Sequence, residues 1–194
     1  MSKGRLEAFS DGVLAIVITI MVLEFVPPSQ PTLDAMFELW PKFLSYVLSF
    51  AFLGINWVNH HHLLQAARTV TSSVLWTNMH LLFWLSLIPF ATAWMGENSF
   101  ASIPVAVYGV LMVTPAIAYL LLARALLAAP HQPDALAIAA SVNTKGYVSL
   151  FGYIASVPIA LVLPLVSVAI FVVIATIWVI PDRSIERTLN DPHG

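Results

Sequence analysis

The sequence predicts an all-α membrane protein built from six spanning helices. Of its 194 residues, 59% are hydrophobic and only 9% are charged, whereas a soluble domain has about 25% charged residues. The mean hydropathy is +0.87. Because a spanning helix needs about 20 mostly apolar residues, the chain holds at most about six or seven spans and no sizeable soluble domain. Any function must therefore lie in or between the helices.

Apolar runs separated by polar or proline-containing stretches place the spans within one six-helix domain, residues 1–194. The predicted spans are residues 6–26, 38–62, 74–95, 102–128, 146–162 and 164–181. The first run is too long for a signal peptide and carries Asp11 and Glu24, so we expect a retained helix. The last two spans share the run from Val148 to Ile180, which as one helix would be about 50 Å long against a core of about 30 Å. Pro158 and Pro164 lie where a tight turn is expected, and the alternative is that either proline only kinks a tilted helix.

Lysine and arginine residues predict the orientation of the bundle. With six spans, only Lys42 falls on one side, and the other side carries Lys3, Arg5, Arg68, Arg124, Lys145, Arg183 and Arg187. Because short loops rich in these residues stay in the cytoplasm, both termini should be cytoplasmic. Acidic residues at the opposite side are more often solvated than functional.

The composition argues against several classes of function. The net charge of −2 offers no basic surface for nucleic acid, and zero cysteines exclude thiolate metal sites. There is no serine with a positioned base, no pair of intramembrane carboxylates and no HExxH motif, so the chain is not predicted to be an enzyme. We expect no cofactor. The TVGYG loop of common potassium channels is also absent.

The first helix carries a stripe of residues that share one face. At 100° per residue, this stripe consists of Ile16, Thr19, Ile20 and Leu23. Such a stripe is usually helix packing, and the Thr19 hydroxyl can bond back to its own helix. Ser10 and Asp11 project about 120° or more away from the stripe, toward neighbouring helices, where they need partners.

The start of this helix resembles a known family. Arg5, Phe9, Ser10 and Asp11 form the pattern RxxxFSD, which is similar to the signature of the transmembrane protein 175 family of potassium channels. Looser similarities follow at residues 57–62 (WVNHHH) and within residues 78–90, beginning NMHLLFW. Prokaryotic members of that family carry one six-helix repeat and are similar in length to this chain.

The resemblance implies a homotetrameric channel that is selective for potassium and has a central pore lined by the first helix of each subunit. The family's apolar constriction maps to Ile16, its hydroxyl layer to Thr19 and its outer apolar ring to Leu23. These rings would replace a TVGYG filter, with potassium passing near Thr19. The implied partners are other copies of the chain, the lipid bilayer and potassium ions. In a prokaryote, the location would be the cytoplasmic membrane.

The family also suggests a structural polar network at the cytoplasmic end of the first helix. It would tie the residues of the RxxxFSD pattern to the second and third helices. The candidate residues are Arg5, Phe9, Ser10, Asp11, His60, His61, Asn78 and His80. The network would position the pore helix and leave the pore wall uncharged.

A transporter is the alternative interpretation. Asp11 and the region His60–His62 could relay protons in a proton-coupled or solute transporter. Transporters often have internal repeats and broken helices near the membrane midplane, and the sequence indicates neither. A metal site at the three histidines is disfavoured because adjacent residues cannot all face one point on a helix. A role of these histidines in sensing pH is a further hypothesis.

Overall fold

The computed structural model describes residues 2–65, 67, 69–130 and 144–179. These residues form helices and no strand, which confirms the predicted all-α class. The helices are α1 (Lys3–Ile20), continued by a 3-10 turn (Met21–Glu24), α2 (Leu33–Phe37), α3 (Trp40–Gln65), α4 (Ser72–Ser86), α5 (Ile88–Glu97), α6 (Ser102–Leu127), α7 (Thr144–Val162) and α8 (Pro164–Val179). Residues 180 and 181 of the last predicted span, together with Arg68, Arg183 and Arg187, lie outside the described residues.

Several helical stretches are long and apolar enough to cross a membrane. Among the described residues, four meet both conditions, and they are Lys3–Glu24, Ser72–Glu97, Ser102–Leu127 and Lys145–Val162. The stretch Pro164–Trp178 is apolar but shorter. Helix α3 has 26 residues, and polar residues such as Asn56, Asn59 and His60 lower its hydropathy.

The third predicted span is broken in the structure. One helix was expected over residues 74–95, but α4 ends at Ser86 and α5 begins at Ile88. Pro89 explains the break, because its ring nitrogen cannot donate a hydrogen bond to the carbonyl group one turn earlier. Leu87 itself keeps a right-handed helical conformation, with φ −87° and ψ −10°, so the stretch Ser72–Glu97 is interrupted at one residue and remains one candidate span.

The connection between α1 and α3 contains a short helix, α2, outside the predicted spans. Its first turn is capped by Thr32, whose hydroxyl oxygen accepts a hydrogen bond from the Ala35 amide at 3.3 Å. At the other end of the chain, α7 ends at Val162 and α8 begins at Pro164. Pro164 is thus at the expected turn, whereas Pro158 lies inside α7.

Helix α1 lies at the side of the bundle, and α6 lies at its centre. α6 packs against α4, α5 and α7, while α1 contacts α3, α4 and α5. Helices α3 and α5 approach each other closely at Gly96, where a Cβ atom would lie 2.8 Å from the Lys42 Cα. The core is therefore built mainly by the later helices, and one face of α1 is left outside it.

Candidate pore helix and polar network

Helix α1 and its 3-10 extension have a buried face and an exposed face. The buried residues are Leu6, Ser10, Leu14, Val17 and Met21. The predicted stripe lies on the other face, where Ile16, Ile20 and Leu23 are 65%, 44% and 74% exposed and Thr19 is also exposed. An apolar stripe that the chain's own core does not cover needs lipid, another subunit or a pore beside it.

The Thr19 hydroxyl group is held by its own helix. Its Oγ1 donates to the carbonyl oxygens of Ala15 at 2.8 Å and Ile16 at 3.1 Å, as its position within a helix allows. Because the hydroxyl hydrogen is engaged in these bonds, the oxygen lone pairs are left for other partners. An exposed oxygen of this kind can act as a partial ligand for a cation.

A buried chain of hydrogen bonds joins α1 to α4 and α3. Asn78 of α4 donates from Nδ2 to Ser10 Oγ at 3.0 Å, and its Oδ1 accepts from His60 Nε2 of α3 at 2.7 Å. Ser10 itself donates to the carbonyl oxygen of Leu6 at 2.9 Å. Ser10 and Asn78 are fully buried, and His60 is 2% exposed. These three side chains fix α1 against its two neighbours.

Asp11 joins α1 to α3 by a separate contact. Its Oδ1 accepts a hydrogen bond from the Trp57 indole Nε1 at 2.9 Å. The Trp57 ring in turn stacks on His61, with ring centroids 6.1 Å apart. Trp57 belongs to the WVNHHH segment at residues 57–62, but it is not among the predicted network residues. Its signal was an indole N–H, a donor from which a carboxylate on a neighbouring helix can accept a hydrogen bond, although Trp57 is 43% exposed.

Four of the predicted network residues have other positions. Arg5 and Phe9 are exposed, and within the described part of the chain Arg5 has no hydrogen bond or ion pair. His80 accepts from Trp84 Nε1 of its own helix at 2.8 Å, and His61 contacts the Trp57 ring instead of α1. Hydrogen bonds thus join Ser10, Asn78 and His60. Asp11 is joined to α3 separately, by its hydrogen bond with Trp57.

Arg5 also lies on the same side of α1 as the exposed stripe. It precedes Ile16 by eleven residues, which is about three helical turns. This side of α1 therefore has a basic residue at its first turn, and the stripe farther along it is apolar except for Thr19. Lys3, two residues earlier, donates to the carbonyl oxygen of Gln65 at 2.9 Å and forms an ion pair with Glu7 at 3.7 Å.

The arrangement offers no metal site within the described residues, because no group of three His, Asp or Glu side chains lies close enough to hold an ion. The hydrogen bonds of Ser10 and Asp11 can hold α1 in a fixed position against α3 and α4. The other face of α1 is then left exposed. That face carries apolar side chains and one hydroxyl oxygen.

Comparison with known proteins identifies the family. The family model described as the endosomal/lysosomal potassium channel TMEM175 matches residues 5–89. A potassium channel of Chryseobacterium sp. (strain P1-3) is 44% identical over 191 residues, which cover 98% of this chain and 100% of that protein. The chain belongs to the TMEM175 family. The predicted family is confirmed, and the protein is an integral membrane protein in a family of cation channels.

Two further members extend the comparison. The endosomal/lysosomal proton channel TMEM175 of Mus musculus is 34% identical over 103 residues, which cover 47% of this chain and 21% of the mouse protein. The crystal structure of a lysosomal potassium-selective channel TMEM175 homolog from Chamaesiphon minutus matches with a TM-score of 0.82 and 27% identity. That match covers 91% of this chain and 96% of the other. Because these relatives are named as channels, the family agrees with the prediction that the chain is not an enzyme.

Proposed function

We propose that the protein is a potassium-selective channel that works as a homotetramer, with α1 of each subunit around a central pore. The observation that carries the proposal is the exposed stripe of α1. In a chain of a channel family, this face presents apolar side chains and one hydroxyl oxygen away from the chain's own core. The 44% identical relative that is named a potassium channel supports potassium as the permeant ion.

The proposed pore has an apolar constriction at Ile16, a hydroxyl ring at Thr19 and apolar side chains at Ile20 and Leu23. From Ile16 to Leu23 these rings extend over about 10 Å of helix. An apolar ring can gate by dewetting, and a hydroxyl ring can supply partial ligands to a mostly dehydrated ion. Selectivity would then depend on α1 alone and not on a loop of backbone carbonyls.

The proposed topology has six spans in one channel domain, residues 1–194, with both termini in the cytoplasm. Two of the six spans, α3 and α8, are less apolar or shorter than the other four, and they cross as parts of the bundle. At the opposite end Lys42 forms an ion pair with Glu97 at 3.1 Å, which neutralises the one basic residue expected outside. In a prokaryote, the location would be the cytoplasmic membrane.

The transporter alternative has one observation in its favour. The break between α4 and α5 is a feature that transporters also use near the membrane midplane. A proton relay, however, needs Asp11 and the histidines to communicate. In the described residues Asp11 bonds to Trp57 and His60 bonds to Asn78, so no hydrogen bond joins the carboxylate to an imidazole. The channel is therefore the function proposed.

Assembly is the first test. One six-helix bundle whose core is filled by side chains has no central aqueous path, so a channel requires symmetric association about α1. Native mass spectrometry of the purified chain should give tetramers both in mild detergent and in lipid nanodiscs. A strict monomer in both media would contradict the proposal.

Thr19→Val is expected to lower the preference for potassium over sodium. Valine keeps nearly the same shape but removes the hydroxyl oxygen, and an interaction of about 1 kcal/mol corresponds to roughly a fivefold change in preference. Potassium and sodium flux into liposomes that contain the purified protein measures this preference. The flux of the unchanged protein also tests the proposed function, since the absence of potassium current would remove it.

Thr77→Val is the matched control for Thr19→Val. Thr77 of α4 makes the same pair of bonds within its helix, to the carbonyl oxygens of Ser73 at 2.8 Å and Val74 at 3.2 Å. Its loss should leave the preference unchanged. Equal effects of the two variants would mean that the hydroxyl of Thr19 acts on helix stability and not on the ion.

A further inference from the structure

A second buried chain of hydrogen bonds, separate from the network of Ser10, joins α3, α5 and α6. Ser49 Oγ of α3 lies 2.6 Å from Thr92 Oγ1 of α5 and 2.9 Å from the Tyr108 hydroxyl oxygen of α6. Thr92 also donates to the carbonyl oxygen of Ile88 at 2.7 Å. All three hydroxyl residues are buried, so these bonds are made inside the subunit core.

The order of donors and acceptors in this chain follows from the number of hydrogens. Each hydroxyl group has one hydrogen to donate. Because Thr92 gives its hydrogen to the Ile88 carbonyl group, Ser49 donates to Thr92, and Tyr108 then donates to Ser49. Removal of the Thr92 hydroxyl group would therefore leave a buried Ser49 hydrogen without its acceptor.

Thr92 also contacts the extension of α1. Its Oγ1 lies 3.9 Å from the sulfur atom of Met21, which is buried and is the first residue of the 3-10 turn Met21–Glu24. Just beyond this turn, the Phe25 ring packs edge-on against Tyr46 of α3, with ring centroids 5.4 Å apart. Leu23 lies between these two contacts in the sequence and is 74% exposed. The turn that carries Leu23 is thus held from its buried side.

Ser10 and Met21 attach the same side of α1 to the core at two points. They are eleven residues apart, which is close to three helical turns and about 16 Å along the axis. Ile16 and Thr19 lie between them in the sequence and are exposed on the other face. A helix attached at one point can tilt or rotate about it, whereas attachment at two points on one side prevents both movements.

We propose that Thr92 is a positioning residue of the pore, which acts through Met21 to hold the 3-10 turn and so fixes the outer apolar ring formed by Leu23. Thr92 itself does not touch the ion. Because packed interiors transmit displacements, loss of the Thr92 contact should loosen this ring. The inference rests on the proposed function, since the ring exists only if α1 lines a pore.

Thr92→Val tests the proposal because valine keeps the shape of threonine and removes the hydroxyl group. We expect the preference for potassium over sodium, measured as flux into liposomes that contain the purified protein, to fall about threefold. Thr92→Ser keeps the hydroxyl group and should keep the preference, although the lost methyl group lowers the unfolding temperature. A preference in Thr92→Val equal to that of the unchanged protein would overturn the proposal.

Two matched serine variants separate the effect on the pore from loss of stability. Ser49→Ala removes the donor to Thr92 and should lower the ion preference, so it also serves if Thr92→Val does not assemble. Ser167 is also fully buried, and its Oγ donates to the Ser156 carbonyl oxygen at 2.7 Å. That bond joins α7 to α8, which are not among the helices that pack against α1. Ser167→Ala should lower the unfolding temperature and leave the ion preference unchanged, and equal shifts of preference in the two variants would contradict the proposal.

A double-mutant cycle tests whether Thr92 acts through Met21. Met21→Leu keeps an apolar side chain and removes the sulfur atom, so the effects of Met21→Leu and Thr92→Val on ion preference should add to less than their sum. Strict additivity would mean that Thr92 does not act through Met21. The unchanged protein in the same liposomes separates the two possible failures. Absence of its potassium flux would contradict the proposed function, whereas normal flux without a shift in Thr92→Val would contradict this inference alone.

Discussion

Ile16→Asn is expected to raise the potassium current about tenfold and to admit sodium more readily, because about 1.4 kcal/mol removed from a barrier raises a rate tenfold. The reason is the proposed constriction. Four isoleucine side chains around a narrow path resist wetting, and four amide side chains would attract water and let hydrated ions pass. Ile16 is 65% exposed on the isolated chain, so the substitution adds no polar group to the subunit core.

Two controls separate the pore from general effects on the membrane helices. Ile154→Asn places the same polar side chain at an isoleucine of α7 that is 47% exposed and faces lipid in the proposed assembly. Ile18→Val is a conservative change on α1 at a residue that packs against the core. Neither should alter current or ion preference in liposomes. An unchanged current in Ile16→Asn together with a shift in Ile18→Val would place the pore on another face of α1.

Much of the fold could be predicted because apolar runs of spanning length are visible in the sequence. Apart from the third, which holds both α4 and α5, each predicted span has one long helix at nearly the same residues, as far as the described residues extend, and the turn before Pro164 lies within the predicted region. The break at Leu87 was missed although Pro89 is visible. A proline within an apolar run can kink a helix, end it or be tolerated, and packing against neighbouring helices decides among these outcomes.

The face of α1 could be predicted, whereas its partners could be predicted only in part. The helical period alone separates Ser10 from the exposed stripe. Choosing between Asn78 and His80 requires the rotation of α4, because residues two positions apart point in nearly opposite directions. The structure turns Asn78 toward Ser10 and leaves His80 exposed. On the helical wheel of α1, Arg5 lies on the same side as Ile16. The sequence could therefore have predicted that Arg5 does not belong to the buried network.

Asn78→Leu is expected to destabilise the subunit by about 1–3 kcal/mol, because it leaves the buried His60 N–H without an acceptor. Ser10 loses its contact with the amide but keeps its bond to Leu6, so the cost falls mainly on His60. Thermal unfolding of the purified protein, together with the tetramer fraction from native mass spectrometry, measures the effect. Channels that still assemble should keep their ion preference, because Asn78 lies on the side of α1 away from the stripe.

A double-mutant cycle distinguishes the hydrogen bond from loss of packing. His60→Leu alone leaves the Asn78 Oδ1 without its donor. The double variant, which carries both His60→Leu and Asn78→Leu, has neither an unpaired imidazole N–H nor an unpaired amide oxygen. The double variant should therefore be destabilised by less than the sum of the two single changes. Thr77→Val, one residue earlier on α4, removes a hydroxyl that bonds only within its own helix and should cost much less than Asn78→Leu. Strict additivity in the cycle would mean that the 2.7 Å contact between His60 and Asn78 does not hold α3 to α4, and the hydrogen bond from Asn78 to Ser10 would remain as the polar link between α4 and α1.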